Sequence, residues 1–343
     1  MQVPPLSLAP RDLVPALKAA AELTRLRILV LLAAGELNVK DLTQILGQSQ
    51  PRVSRHLKLL AEAGLVERFR EGSWVYFHVS GQTERGQFAR QLIEAVNRRD
   101  PVLERDRERA LSLKRKREAA AQAYFDEHAA EWDRIRALHV REEDVEAAMR
   151  ECLGPGPFNF LLDLGAGTGR ILELMSDRFR QGLGFDVNRA MLAYARGKLD
   201  RAGLAHAQVR HGDLYHLPVA DCSADAIVMH QVLHFLSDPA AAIAEAARAL
   251  APGGRLLIVD FAPHDMEFLR SGHAHERLGF PGALVREWLA GAGLRPATAR
   301  DLAPPARDSG AGKLTVSLWL AERAPARGRS KAGKEPRRLE KIR

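Results

Sequence analysis

Two polar clusters in this chain have the residue types and spacing to read a ligand. The first is the run Gln48-Ser49-Gln50-Pro51-Arg52-Val53-Ser54-Arg55-His56-Leu57. Gln and Arg make paired hydrogen bonds to adenine and guanine edges. Gln48, Ser49, Gln50, Arg52, Ser54, Arg55 and His56 are therefore candidate contacts to double-stranded DNA, while Val53, Leu57 and Leu60 fall at core spacing. The second is Asp163-Leu164-Gly165-Ala166-Gly167-Thr168-Gly169, directly after an apolar run. Its glycines let backbone approach a ligand closely. Arg170 stands where a dinucleotide fingerprint needs its third glycine, which argues against a pyrophosphate cradle. Asp186 closes the next apolar run about 20 residues on, where a carboxylate can accept both hydroxyls of a ribose. Asp213, in Gly212-Asp213-Leu214, is placed to accept an exocyclic amine of adenine, and His230 and Gln231 follow a fourth apolar run.

These clusters need elements to hold them. Apolar spacing over 11–34 reads as helix, stopped at Gly35. Asn38 caps a short helix through Leu46, closed by Gly47, and Ser49 caps the next, which stops at Gly64. Residues 65–70 and 74–79 read as two strands around Glu71-Gly72-Ser73. Helices followed by one hairpin make a winged helix-turn-helix, with Arg68 and Arg70 of the wing suited to phosphate or minor-groove contact. Residues 82–118 read as a helix followed by a charged, solvated helical linker, and 119–153 as one or two further helices. From 158 onward, strand-like runs (Phe160–Leu164, Gly182–Asp186, Ala207–His211, Ala224–His230, Arg255–Phe261, Leu314–Leu320) alternate with helical segments. That is the pattern of a parallel, doubly wound α/β sheet. The expected domains are 1–97, a linker at 98–118, 119–322 and a tail at 323–343.

Composition narrows the classes. The formal net charge is +8, but the segment from Arg323 onward carries nine Lys/Arg against two Glu, so the rest is nearly balanced. This tail is expected to be disordered, either adding salt-sensitive DNA affinity or standing solvated without a role. No apolar run reaches 18 residues and no signal peptide is read, so a cytoplasmic protein without membrane association is expected. Cys152 and Cys222 form no metal-ligand pair, and no metal is expected.

Residues 11–97 resemble the ArsR/SmtB family of bacterial repressors through Thr24-Arg25-Leu26-Arg27-Ile28-Leu29, Leu37 to Leu42 and Ser49 to Leu57. The resemblance implies a homodimer on a palindromic operator. Many such proteins sense metal through a Cys-x-Cys pair on the helix before the recognition helix, and Leu37-Asn38-Val39-Lys40-Asp41-Leu42 has no thiol. Residues 119–322 resemble the class I S-adenosylmethionine-dependent methyltransferases through Asp163 to Gly169, Gly184-Phe185-Asp186, Gly212 to Leu214, Asp225 to Val228 and Leu250 to Leu256. This implies S-adenosyl-L-methionine or S-adenosyl-L-homocysteine as cofactor, held by Asp163, Gly165, Ala166, Gly167, Asp186, Val187, Met191, Gly212, Asp213, Leu214, His230 and Gln231. Tyr124-Phe125-Asp126 and Trp132-Asp133 look like part of the helices that cover the cofactor, with Tyr124 and Trp132 as the expected contacts and plain core packing as the alternative for Tyr124, Phe125 and Trp132.

A small-molecule methyl acceptor is expected, with His230, His234, His264, His273 and His275 as possible bases and His234 and His264 as the candidate catalytic pair. His273-Ala274-His275 lacks further ligand spacing for a metal, and two cysteines fit arsenite methylation poorly. His230-Gln231-Val232-Leu233 stands where nucleic-acid methyltransferases carry an Asn-Pro-Pro-Tyr-type motif. Two readings stay open: a regulator with a working methyltransferase domain, or a non-catalytic sensor of the cofactor that regulates transcription.

Overall fold

The structure, a computed structural model, describes residues 8–71, 74–79, 83–129, 142–304 and 314–325. Trp132, the wing tip at Gly72 and Ser73 and the tail from 326 lie outside them.

The N-terminal unit contains α1 (Pro10–Ala20), α2 (Leu23–Ala33), β1 (Leu37–Asn38), α3 (Val39–Leu46), α4 (Gln50–Glu62), β2 (Glu67–Glu71), β3 (Trp74–His78) and α5 (Glu84–Glu94). It is a helix-turn-helix with a small antiparallel sheet in the order β1-β3-β2. The helical span read over 11–34 is two helices, because the Glu22 side chain accepts the Arg25 N–H and starts a new helix there. α3 carries a full capping box between Asn38 and Asp41 and ends at Gly47 with φ +64°. Ile28, Leu29, Leu42, Val53, Leu57 and Leu60 form the buried centre of this unit.

α6 spans Pro101–His128 without a break, so linker and first cofactor-side helix are one rod of about 40 Å. Arg105, Arg107, Glu108, Arg109, Arg115 and Lys116 of the charge run are exposed, as a solvated helix requires, and Asp106 departs from it. Asp106 is only 2% exposed and takes two hydrogen bonds from Arg27.

The C-terminal unit is a seven-stranded sheet in the order β6-β5-β4-β7-β8-β10-β9. The strands are β4 (Phe158–Leu164), β5 (Phe179–Asp186), β6 (Ala207–His211), β7 (Ala224–His230), β8 (Leu250–Phe261), β9 (Arg295–Leu302) and β10 (Val316–Glu322). β6-β5-β4-β7-β8 run parallel, while β10 is antiparallel to both β8 and β9. The sheet is therefore mixed rather than purely parallel. β9 went unforeseen because nearly all of it is exposed and it lacks apolar alternation. Buried clusters line both faces, one around Met149, Leu161, Leu172 and Leu257, the other around Leu162, Phe185, Ile227 and Phe280. The order reverses between β4 and β7, and in such sheets that switch point is where a ligand sits.

Among the described residues no helix is long and apolar enough to cross a membrane, and no group of three His, Cys, Asp or Glu is placed to hold a metal ion.

Candidate functional site

A cavity of about 380 Å³ opens at the β4/β7 switch point. Gly165, Ala166 and Gly167 form its floor, and Asp186, Val187 and Met191 one side. Asp213, Leu214, His230 and Gln231 complete the predicted lining. Ten predicted residues, scattered over four strand ends and their loops, thus converge on one space.

The loop is held from below. The N–H groups of Gly165 and Ala166 both donate to the Phe185 carbonyl, at 2.9 and 3.0 Å. Gly165 has φ +80°, and a Cβ there would sit 2.4 Å from Val232 Cγ2, so only glycine fits. Asp186 Oδ2 accepts the Gly167 N–H at 2.8 Å and Oδ1 accepts the Asn188 N–H at 2.8 Å. Burial pushes the Asp186 carboxyl up, against backbone N–H groups of Asn188, Gly167 and Val187 that favour its charge. A carboxylate so fixed is preorganised to accept further donors. Asp213 is exposed at the rim, its Oδ1 accepting the Tyr215 N–H at 2.9 Å.

Three predicted cofactor contacts stand off the wall. Asp163 is buried beneath the loop, and Gly212 packs where a Cβ would meet Phe185 at 2.6 Å. Tyr124 turns away, its hydroxyl 2.7 Å from His273 Nδ1 and its ring stacked on His128. Phe125, with Ala121 and Gln122, takes the place expected of Tyr124 on the wall. The helical phase of those three residues was the missed signal. Thr168, Arg170, Ile171, Tyr215, Val232, Phe235, Leu236 and Ser237 also line the cavity, though none was expected as a cofactor contact.

Neither candidate catalytic histidine reaches the wall. His234 is 2% exposed, and its Nδ1 lies 2.7 Å from Asp260 Oδ1. Its ring packs 4.0 Å from that of Phe235, one side chain behind the cavity. Burial, then the nearby His234, hold the His264 imidazole down at about 4. His264 Nδ1 accepts the Met266 N–H at 3.3 Å, which leaves the proton on Nε2. That is a hydrogen-bond donor, not a base. Among the described residues His230 is the imidazole on the cavity wall.

On the helix-turn-helix, Ser49, Gln50, Arg52, Ser54 and Arg55 are exposed on one side of α4, opposite buried Val53, Leu57 and Leu60. Arg68 and Arg70 of the wing are exposed as well. Two predicted contacts face elsewhere. Gln48 Nε2 lies 3.3 Å from Thr24 Oγ1, and His56 Nδ1 is 3.5 Å from the Glu22 carboxylate. Burial, opposed by Glu22 and aided by Arg25, Arg52 and Arg55, lowers the His56 pKa, so it adds no positive charge at neutral pH.

Residues 23–68 match the bacterial regulatory protein family arsR, and residues 162–258 match the methyltransferase domain family. The chain joins an ArsR-family helix-turn-helix to a class I methyltransferase domain. Such methyltransferase domains use S-adenosylmethionine, and the fold found here is theirs. The methyltransferase region is similar to a probable S-adenosylmethionine-dependent methyltransferase of Mycolicibacterium smegmatis, 33% identical over 34% of this chain and 45% of that protein. A demethylmenaquinone methyltransferase of Clavibacter sepedonicus is 29% identical over 46% of this chain and 64% of its own length. An arsenite methyltransferase of Aquipseudomonas alcaligenes is 38% identical over 29% of this chain and 32% of its own. The chain spans less than two thirds of each of these relatives.

Proposed function

We propose that this protein is a DNA-binding transcriptional regulator whose C-terminal domain binds S-adenosyl-L-methionine and methylates a small-molecule acceptor. The observation that carries the reading is the convergence of Gly165, Gly167, Asp186, Met191, Asp213 and Gln231 on one cavity of about 380 Å³. In this assignment Asp186 holds the ribose, Asp213 the adenine amine, and the Gly165–Gly167 loop the amino-acid end. Phe125 and Phe235 on the wall would offer the sulfonium a cation–π environment, while the Tyr215 ring already holds Lys114 Nζ at 4.0 Å. Transfer rests on in-line orientation of acceptor and methyl group, with His230 as the imidazole on the wall facing a protic acceptor. The proposed protein acts as a cytoplasmic homodimer, and exposed Val14 and Leu17 on α1 supply an apolar face for it.

Incubating the full chain with methyl-labelled S-adenosylmethionine and a panel of phenols, amines and thiols tests the enzymatic half. Label in an acceptor supports it; cofactor recovered intact across the panel leaves the sensor reading, in which the same cavity reports cofactor. The DNA half is tested by Arg55→Ala. Loss of a bidentate base contact is expected to weaken binding to a selected duplex by about 1–3 kcal/mol, with cofactor affinity unchanged. Fluorescence anisotropy at fixed salt measures it, and undiminished DNA affinity would place the reading surface off this face of α4.

A further inference from the structure

Two features set Gln231 apart on the cavity wall. Its φ is +50°, in the left-handed region that a residue other than glycine adopts only under strain. Its side chain is 7% exposed, and its amide makes no hydrogen bond among the described residues. A nearly buried amide that the protein does not satisfy is completed when a ligand bonds it. The strain is held from outside. The Gln231 N–H donates to the Val259 carbonyl of β8 at 2.7 Å. Three residues on, the His234 N–H donates to Asp260 Oδ2 at 3.3 Å, and His234 Nδ1 lies 2.7 Å from Asp260 Oδ1. Asp260 is buried, and its Oδ1 also accepts the Phe261 N–H at 2.8 Å. The His234 carbonyl accepts the N–H groups of Glu276 and Arg277 at 2.9 and 3.0 Å. The loop after β7 is thus pinned from its first residue to its 3-10 turn, and a backbone so over-determined keeps its strain for what the side chain does.

The same loop carries Phe235. Its ring meets that of Phe125 edge-on, with 4.8 Å between centroids and 80° between planes, and both line the cavity. The rings of His234 at 4.0 Å and His275 at 5.1 Å pack against Phe235 and fix its direction. Two rings at a right angle make a corner. A third flat ring can stack on one and meet the other edge-on, the two arrangements that aromatic pairs favour. Val232 and Leu236 extend this apolar wall. The sheet order sets the corner across from the proposed cofactor contacts. Gly165 to Gly167, Asp186 and Asp213 follow β4, β5 and β6, whereas Gln231 and Phe235 follow β7, beyond the switch point.

We propose that the corner of Phe125 and Phe235, together with the Gln231 amide, is the methyl-acceptor subsite, and that it takes a planar aromatic ring bearing a hydroxyl group. The proposal rests on the adenosyl reading above. The ring lies in the corner, next to the side of the cavity where the sulfonium is placed. The amide can both donate and accept, so it bonds the hydroxyl and turns its oxygen toward the methyl group. Gln231 and Phe235 then set specificity by separate means, the first through the hydroxyl and the second through the ring face.

The experiment titrates the full chain, saturated with S-adenosylhomocysteine, with three soluble probes by calorimetry. Catechol carries the ring and the hydroxyls, cyclohexane-1,2-diol the hydroxyls without the aromatic ring, and 1,2-dimethoxybenzene the ring without a proton to donate. Catechol is expected to bind at millimolar concentrations or below, and each of the other two about tenfold more weakly. Phe235→Leu is expected to remove the preference over the diol, and Gln231→Leu, which keeps volume, the preference over the dimethoxy compound. Each variant keeps the preference that the other loses, which a general loss of packing would not do. S-adenosylhomocysteine binding by the same variants shows that they are folded. Catechol bound no more tightly than either comparator by the parent chain overturns the proposal; so do preferences that survive in both variants. S-adenosylhomocysteine bound without any binding of catechol overturns it as well, and leaves the adenosyl reading standing. Absence of S-adenosylhomocysteine binding up to millimolar concentrations overturns the adenosyl reading itself, and the proposal with it.

Discussion

Arg27→Ala is expected to destabilise the protein by about 3–5 kcal/mol, the cost of removing one partner of a buried ion pair. Arg27 Nε and Nη2 meet the two Asp106 oxygens at 2.6 and 2.7 Å, a fork-to-fork geometry that a lysine cannot reproduce. Asp106 is 2% exposed, so its carboxylate gains no water when the guanidinium is gone. The pair ties α2 to α6, and the loss should appear as a lower urea midpoint of the N-terminal unit. Arg27→Met combined with Asp106→Leu is expected to recover most of the stability, because an apolar pair strands no charge. A single-variant loss below about 1 kcal/mol would mean that water reaches Asp106 and that α6 is less firmly rooted than its contacts indicate.

Asp186→Ala is expected to weaken adenosyl-cofactor binding by at least about 100-fold. Two ribose hydroxyls on one carboxylate are worth about 1.5–3 kcal/mol each, and each 1.4 kcal/mol is tenfold. The same carboxylate accepts the Gly167 N–H, so alanine also frees the loop. Asp186→Asn separates the two effects, since its amide oxygen can keep the Gly167 contact while the charge is lost; its affinity is expected to fall between the others. Calorimetry with S-adenosylhomocysteine measures all three. Unchanged affinity in Asp186→Ala would remove the ribose assignment.

Local rules were legible wherever they acted locally. The cap at Asn38, the stop at Gly47, and strands β6 and β7 stand where cap, glycine and apolar runs put them. The glycine loop, Asp186 and Asp213 also arrived at one cavity as their strand-end positions required. What could not be read depends on partners distant in sequence. Within the charge run of α6, Asp106 and Arg117 look like their solvated neighbours until Arg27, Asp41 and Glu276 come to meet them. Phe125 rather than Tyr124 faces the cofactor side because helix phase is set by packing on Asn188 and His273, neither of which is near in sequence. His234 carries the residue type of a base but is enclosed by Asp260, Phe235 and His275, and burial is invisible in a list of histidines. β9 has the composition of a loop, and only pairing with β10 makes it a strand.

The cavity at the β4/β7 switch point is the premise on which both halves of this account meet. Its most direct test is a calorimetric titration of the unaltered chain with S-adenosylhomocysteine. Saturable binding, one equivalent per chain at concentrations well below millimolar and displaced by S-adenosylmethionine, is the predicted result. No heat and no displacement up to millimolar concentrations would contradict it.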